Sequence, residues 1–535
     1  MTKKLIIILI LSNFTFISFA QYDKIFLYSN KKTIEFNING GKNDWIISQQ
    51  AEPDIYSMYN KTGTNYHIKF ISDVDSLEFD LKTNTAKYFS IIYNNDTVKT
   101  GVELSDQIKN SLNDNEKIFA LSLLWEEIKY NFAFIDKITF DIDSLYKEYI
   151  SQVISTKNDY ELYKILRRFT SCFKDAHTQV VFSKTGTYTN YSPLSLKYFG
   201  KDLCIISVRE DLEKTFPLGS KILEINNLQT DTYIKKFVEP YLYSDVEITK
   251  KNMVAYYLCS SRLDADTLIY KYQTPNGEIR KNIVPNDGNT KMGNYLGYKY
   301  KYPRKNVEIT WLKDSIAVLI FNTFSELNGK NINDFESIKD SLYLAKGIIV
   351  DIRQNGGGST SVAWHLLQYI VKDSYFLNFA WQTRINNGVK RATGNFKEEN
   401  KDYYNLNAYE TFLPDTIYIS DTIKRFNVPL VILISNNTAS AAEDFLIDLY
   451  EIPNRPLLIG QPTLGSTGSP LMVWGFPLEG YARVCARRVL YPYSLKPFTE
   501  GVMPDIFIDY SFNEYMSQED KEIERAIIEI KKLLK

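Results

Sequence analysis

Val431-Ile432-Leu433-Ile434-Ser435-Asn436-Asn437-Thr438-Ala439-Ser440-Ala441-Ala442-Glu443-Asp444 is the stretch on which the reading of this 535-residue chain turns. An unbroken apolar run over Val431–Ile434 is the pattern of a strand buried on both faces. Small polar residues then turn the chain into a helix that begins near Ser440. Two readings of Ser440 are open at this point. Ser440-x-x-Glu443 fits a capping box, in which the two side chains satisfy each other's backbone N–H groups. The same placement exposes a hydroxyl beside unpaired helix N-terminal N–H groups, which can stabilise an oxyanion. The Gly-x-Ser-x-Gly elbow of α/β-hydrolases is absent, so that fold is not supported.

Working outward, Ile348-Ile349-Val350-Asp351-Ile352-Arg353-Gln354-Asn355-Gly356-Gly357-Gly358-Ser359 is a second buried strand, followed by three glycines. Glycines let backbone N–H groups approach a ligand closely. A phosphate loop is excluded because no Gly-Lys-Ser/Thr follows and the Gly-x-Gly-x-x-Gly spacing fails. His365, in the helix expected next, reads as a packing residue. Strands are expected over Ile316–Phe321, Gly347–Ile352 and Val428–Ser435. From about 306 to 512 such runs alternate with helices, the signature of an α/β sheet. A final helix over 513–535 carries Ile523, Ile527, Ile530 and Leu534 on one face.

Upstream the pattern changes twice. Residues 192–288 are β-rich, with a Gly turn at Pro217-Leu218-Gly219-Ser220 before a short alternating strand. Residues 106–191 are helical: Ile118, Leu121, Trp125, Ile128 and Phe132 form one apolar stripe, and a second helix over Glu161–Phe169 ends near Asp175-Ala176-His177-Thr178. Residues 21–105 alternate as half-buried strands do, for example at Thr33–Ile38 and Tyr66–Phe70. His67 lies on that alternation and reads as structural. Lys3 and Lys4 precede an apolar run from Leu5 to Phe19, with small residues before Gln21. This reads as a secretory signal peptide over 1–20, and the mature chain is expected to be exported, periplasmic or extracellular. No later run approaches the ~18 apolar residues of a membrane span.

Lys+Arg total 63 and Asp+Glu 64, for a net charge of −1. Such balance offers nucleic acid no bulk attraction. Composition is that of a globular chain, 44% hydrophobic and 24% charged. Four cysteines (Cys172, Cys204, Cys259, Cys485) are too sparse for a disulfide framework and read as buried thiols. Three scattered His and four scattered Cys give no metal-ligand spacing, so no metal and no cofactor is expected.

Two further short segments carry chemistry-bearing residues. Asp175-Ala176-His177-Thr178 holds a His at a helix end, where the helix C-terminus favours the charged form, yet His is also the default general base near neutrality. Glu500-Gly501-Val502-Met503-Pro504-Asp505 is a Gly/Pro turn with acidic residues. The motifs Asp-x-His-Thr, Asp-x-Arg-x-Asn-x-Gly-Gly, Thr-Ala-Ser-Ala-Ala-Glu-Asp and Gly-Val-x-Pro-Asp occur in the order seen in the C-terminal processing peptidases and the tricorn protease core. From about residue 110 to 535 the chain resembles that serine peptidase family.

The resemblance implies a ClpP/crotonase-like α/β catalytic core over 306–512, with 192–288 similar to a PDZ-like insert and 106–191 the helical part that carries His177. The processing-peptidase branch uses a Ser–Lys dyad. In the matching stretch Gly460-Gln461-Pro462-Thr463-Leu464-Gly465-Ser466-Thr467-Gly468, Ser466 stands at the Lys position, and a hydroxyl cannot serve as that base. The chain therefore resembles the tricorn-like branch, with Ser440 as nucleophile, His177 as general base and Glu500 as a remote carboxylate. Asp175 is the other group the resemblance leaves to orient the site, because Ala176 stands where the tricorn core has a Ser. Backbone N–H groups of Ala441 and of Gly357 or Gly358 are the implied oxyanion hole, since relatives often carry Pro at the position of Gly356. The implied partner is a peptide or protein substrate. A non-catalytic peptide- or lipid-binding protein on the same fold and an esterase are the competing readings.

Overall fold

Six strands form the central sheet, in the order Val307–Trp311, Ile316–Phe321, Gly347–Asp351, Leu430–Ile434, Leu457–Gly460 and Ile506–Phe507. The first pair is antiparallel and every later pair is parallel. The computed structural model describes residues 112–182, 192–260, 268–284, 294–298, 305–326, 329–476, 480–517 and 519–534, together with strand backbones between residues 6 and 97.

Apolar runs form these strands because both faces are covered. Ala317, Leu319, Ile348, Val350, Ile432, Ile434 and Leu458 point to one side, where the helices Thr360–Ile370 and Ala441–Tyr450 pack. Ile316, Val318, Ile349, Val431, Leu433 and Ile459 point to the other, against Ala526 and Ile530 of the Lys521–Leu533 helix. A Cβ on Gly347 would sit 2.4 Å from Ile530 Cγ2, so the glycine is what lets that helix approach the sheet. The expected terminal helix is two helices, Phe512–Ser517 and Lys521–Leu533. Asp520 caps the second through the Ile523 N–H at 3.0 Å. Leu534, expected on its apolar face, is exposed.

The helices Asp114–Asn131, Ile142–Ile154 and Asp159–Ser171 share a core with the strand Gly480–Cys485. In the first of them Ala120, Leu121, Leu124 and Ile128 are buried, while Ile118 and Trp125 of the expected stripe lie on its flank. Strands lying between residues 194 and 297 make an antiparallel sheet ordered Leu194–Phe199, Asp202–Arg209, Lys221–Ile225, Leu268–Gln273, Ile279–Val284. Tyr295–Gly297 also joins it, pairing with Asp202–Arg209, so this sheet runs beyond the expected limit of 288.

Strands between residues 6 and 97 form two further antiparallel sheets. Ile6–Ile10, inside the apolar run read as a leader, is an edge strand paired with Ala86–Tyr93. The side chain of His67 lies outside the described residues. The four cysteines are thiols outside any disulfide; Cys204 and Cys485 are buried, and Cys172 and Cys259 half-buried. His365 does more than pack: its Nε2 lies 2.7 Å from the Glu336 carboxylate, which the Tyr369 hydroxyl also reaches at 2.6 Å. Among the described residues no helix is long and apolar enough to cross a membrane.

Candidate active site

Three loops leave the carboxyl ends of neighbouring parallel strands, which is where open α/β sheets hold ligands. They follow Gly347–Asp351, Leu430–Ile434 and Leu457–Gly460. The second loop ends at Ser440, whose backbone is held at φ 55° and ψ −126°. A positive φ at a non-glycine residue costs of order 1–3 kcal/mol and persists only where its surroundings impose it. Those surroundings are all three loops. The Ser440 N–H donates to the Ser466 carbonyl at 3.0 Å and to Glu443 Oε2 at 3.2 Å. The Ala439 N–H donates to the Asn355 carbonyl at 3.1 Å. A Cβ on Gly357 would lie 2.7 Å from Ser440 Cβ and 2.9 Å from the Ala441 nitrogen, so the glycine loop rests directly on Ser440.

The Glu443 half of the capping box read in the sequence is formed, its carboxylate accepting the Ser440 N–H, whereas the Glu443 N–H donates to the Ser440 carbonyl at 2.7 Å. Ser440 itself is half-buried. Ala441 opens the helix, so its N–H has no carbonyl of its own helix to reach. Gly357 is a different case: its N–H donates to Asn355 Oδ1 at 2.9 Å and is already satisfied. Gly358 is exposed and at φ +140°, and a Cβ there would meet the Phe324 backbone at 2.3 Å, so of the two expected loop donors it is the one whose N–H Asn355 does not take.

Asn355, fully buried, was not singled out as a site residue, although it stands inside the Asp-x-Arg-x-Asn-x-Gly-Gly motif. Its Nδ2 donates to the Phe321 carbonyl at 2.9 Å while Oδ1 shapes the glycine turn. Glu443 also does more than cap. This buried carboxylate accepts from Thr463 Oγ1 at 2.5 Å and from the N–H groups of Gly465 at 2.7 Å and Ser466 at 2.9 Å, besides that of Ser440. All four partners are donors, since Thr463 Oγ1 itself accepts the Val502 N–H at 2.7 Å. Burial nonetheless pushes the Glu443 pKa up to about 7, against the opposing pull of these hydrogen bonds.

His177 lies in the turn between the Asp159–Ser171 helix and the strand Gln179–Phe182, which pairs with Gly480–Cys485. It is beyond the helix end, so the helix terminus does not hold it charged. Burial, then the guanidinium charges of Arg483 and Arg487, lower its pKa to about 4 and keep the ring neutral at pH 7. Asp175 makes the turn: Oδ1 accepts the His177 backbone N–H at 2.9 Å and the Thr178 hydroxyl at 2.8 Å, an Asx-type arrangement that does not involve the ring. The ring meets Ser466, with Nδ1 2.7 Å from Oγ. Ser440 and His177 thus converge on one residue, which binds the first through its carbonyl and the second through its hydroxyl.

Glu500 is exposed and makes no side-chain hydrogen bond among the described residues. It lines a cleft of about 1170 Å³ with Ala176, Ser466, Lys137, Asn437 and Tyr198. The Gly501–Asp505 motif beside it is a latch: Asp505 pairs with Arg455 at 2.7 Å and accepts the Leu458 N–H at 2.8 Å. The cleft runs between the core and the 194–297 sheet. Across it the Glu247–Ser260 helix reaches the site loops, Thr249 Oγ1 donating to the Leu464 carbonyl at 3.2 Å and accepting Asn436 Nδ2 at 2.7 Å.

The model of peptidase family S41 matches residues 315–508. No curated protein matches the chain. Among solved structures, mature CPAF in complex with lactacystin has a TM-score of 0.55 at 13% identity, covering 79% of this chain and 98% of that one. A structure from Parabacteroides merdae ATCC 43184 gives 0.45 at 18% identity, over 78% of this chain and 97% of that one. The tricorn protease gives 0.41 at 12% identity, over 94% of this chain and 43% of that one.

Proposed function

Residues 315–508 place this chain in peptidase family S41, among the serine-type peptidases, and from that premise we propose that it is exported and cleaves peptide bonds through an acyl-enzyme on Ser440 with His177 as base. The observation that carries this reading is the meeting of the Ser440 N–H and the His177 ring on Ser466, at 3.0 Å and 2.7 Å. Ser440 Oγ attacks the scissile carbonyl and passes its proton to His177 Nε2. The tetrahedral oxyanion lies between the Ala441 and Gly358 N–H groups, each contributing roughly 10²–10³ in rate. His177 returns the proton to the leaving amine as the C–N bond breaks. Water, deprotonated by the same nitrogen, then releases the acyl group. A ring that is neutral at pH 7 suits the first of these steps.

The antiparallel 194–297 sheet takes the PDZ-like role, receiving extended peptide by strand addition. Support comes from its edge strand Ile279–Val284, where Ile279 and Ile283 are 51% and 59% exposed. Export rests on the Lys3-Lys4 and Leu5–Phe19 pattern, with Gln21 as the first mature residue.

The test is labelling of the purified protein with a fluorophosphonate serine probe, beside folded Ser440→Ala and His177→Ala. Labelling is expected only in the wild type. Retention in His177→Ala would remove the base, and retention in Ser440→Ala would remove the nucleophile. Intact mass on the same exported sample checks the leader, and a chain still starting before Gln21 would contradict that part.

A further inference from the structure

The geometry points to Ser466 as the positioning residue for the general base: its hydroxyl holds the His177 ring at Nδ1, so that Nε2 is the nitrogen free to take the Ser440 proton. This rests on the reading of Ser440 and His177 above and assigns the role otherwise left to Glu500 or Asp175.

Neither carboxylate is hydrogen-bonded to the ring. Asp175 Oδ1 is spent on the His177 backbone and on Thr178, and Glu500 stands exposed on the cleft wall. Ser466 Oγ is 2.7 Å from Nδ1. Orientation by a side chain requires that the side chain itself be immobile, and Ser466 is clamped at both backbone groups. Its N–H sits on Glu443 at 2.9 Å, and its carbonyl receives the Ser440 N–H at 3.0 Å. On one side the Gly465 N–H binds Glu443, and on the other Thr467 Oγ1 donates to the buried Asp444 at 2.5 Å. The residue is 5% exposed. One short segment therefore fixes the ring and the nucleophile's backbone in a common frame.

A hydroxyl does this differently from a carboxylate. It accepts from Nδ1–H in both the neutral ring and the imidazolium, yet it brings no charge to raise the ring's basicity. That agrees with a ring kept neutral by burial and then by the charges of Arg483 and Arg487. Ser466 is not itself placed as the nucleophile. Its N–H is consumed by Glu443, and the unpaired helix-terminal N–H of Ala441 and the strained backbone belong to Ser440.

The experiment uses the full chain, with the ring nitrogens of its three histidines (His67, His177, His365) followed by ¹⁵N NMR. In the wild type the His177 signal, identified by its loss in His177→Ala, is expected to show a proton on Nδ1. A neutral ring protonated on Nε2 would overturn the assignment without any Ser466 variant. Ser466→Ala is expected to lower the fluorophosphonate labelling rate roughly 10- to 100-fold, part of the 10²–10⁴ a positioned base supplies, and to leave the two tautomers mixed. Ser466→Thr, which keeps the hydroxyl, should restore the Nδ1–H signal and most of the rate. Wild-type labelling and an unchanged tautomer in Ser466→Ala would refute the positioning role alone, provided His177→Ala still abolishes labelling. Labelling that survives His177→Ala would instead refute the underlying reading. A probe adduct mapped to Ser466 would refute both.

Discussion

His177 shows how surroundings rather than residue type set a role. Burial and two guanidinium groups depress its pKa from the ordinary 6.5 to about 4. A base whose folded pKa lies below its unfolded value adds stability that is present above about pH 6.5 and is lost as pH falls toward 4. An NMR titration of the His177 ring should therefore find its midpoint near 4. A midpoint at 6.5 would mean that the ring is solvated and the described packing wrong. His177 and Ser440 were pointed to by the resemblance of their motifs to a serine peptidase family, since by residue type alone a capping serine and a structural histidine stayed open. The sequence did not reveal that Ser466 contacts the ring, since the two are 289 positions apart and only the fold brings them together. Glu443 was legible as a cap but not as the carboxylate that also gathers Gly465 and Ser466, because those N–H groups belong to another loop.

At the scale of the element, the apolar runs over Ile316–Phe321, Gly347–Asp351 and Leu430–Ile434 were readable as buried strands because both sheet faces are covered. The turns between them were less so. The Gly-Gly-Gly stretch announced close backbone approach, but which N–H stays free depends on Asn355, whose side chain takes the one on Gly357. The glycine itself is required by contact: at φ +101°, a Cβ would meet Ser440 Cβ at 2.7 Å. Gly357→Ala is expected to cost about 1–3 kcal/mol in strain and overpacking. Displacing Ser440 from its donors should also slow probe labelling by roughly 10² or more. Labelling at the wild-type rate in this variant would show that the loop does not support the nucleophile.

Over the whole molecule, the order of character along the chain (β, helical, β, α/β) was visible as changes of period, while contacts between segments were not. Nothing local in Thr249, Asn252 or Asn436 marks them as partners. Yet Asn252 Nδ2 donates to Asn436 Oδ1 at 2.9 Å, and Thr249 bridges to the loop carrying Ser466. The Glu247–Ser260 helix is thus docked on the site loops, while the edge strand Ile279–Val284 of the neighbouring sheet carries the exposed Ile279 and Ile283. In Ser440→Ala, in which the proposed nucleophile is missing, an extended apolar peptide is expected to bind and stay intact. Ile279→Asp with Ile283→Asp should weaken that binding roughly tenfold, about 1.4 kcal/mol. Equal affinity in the two proteins would place peptide elsewhere than this edge.

The most direct test of the central claim is to react the intact protein with a fluorophosphonate, digest it and locate the phosphonylated serine by mass spectrometry. The account predicts a single adduct on the peptide containing Ser440, absent from His177→Ala. An unmodified Ser440, or an adduct that forms as readily without His177, would contradict it.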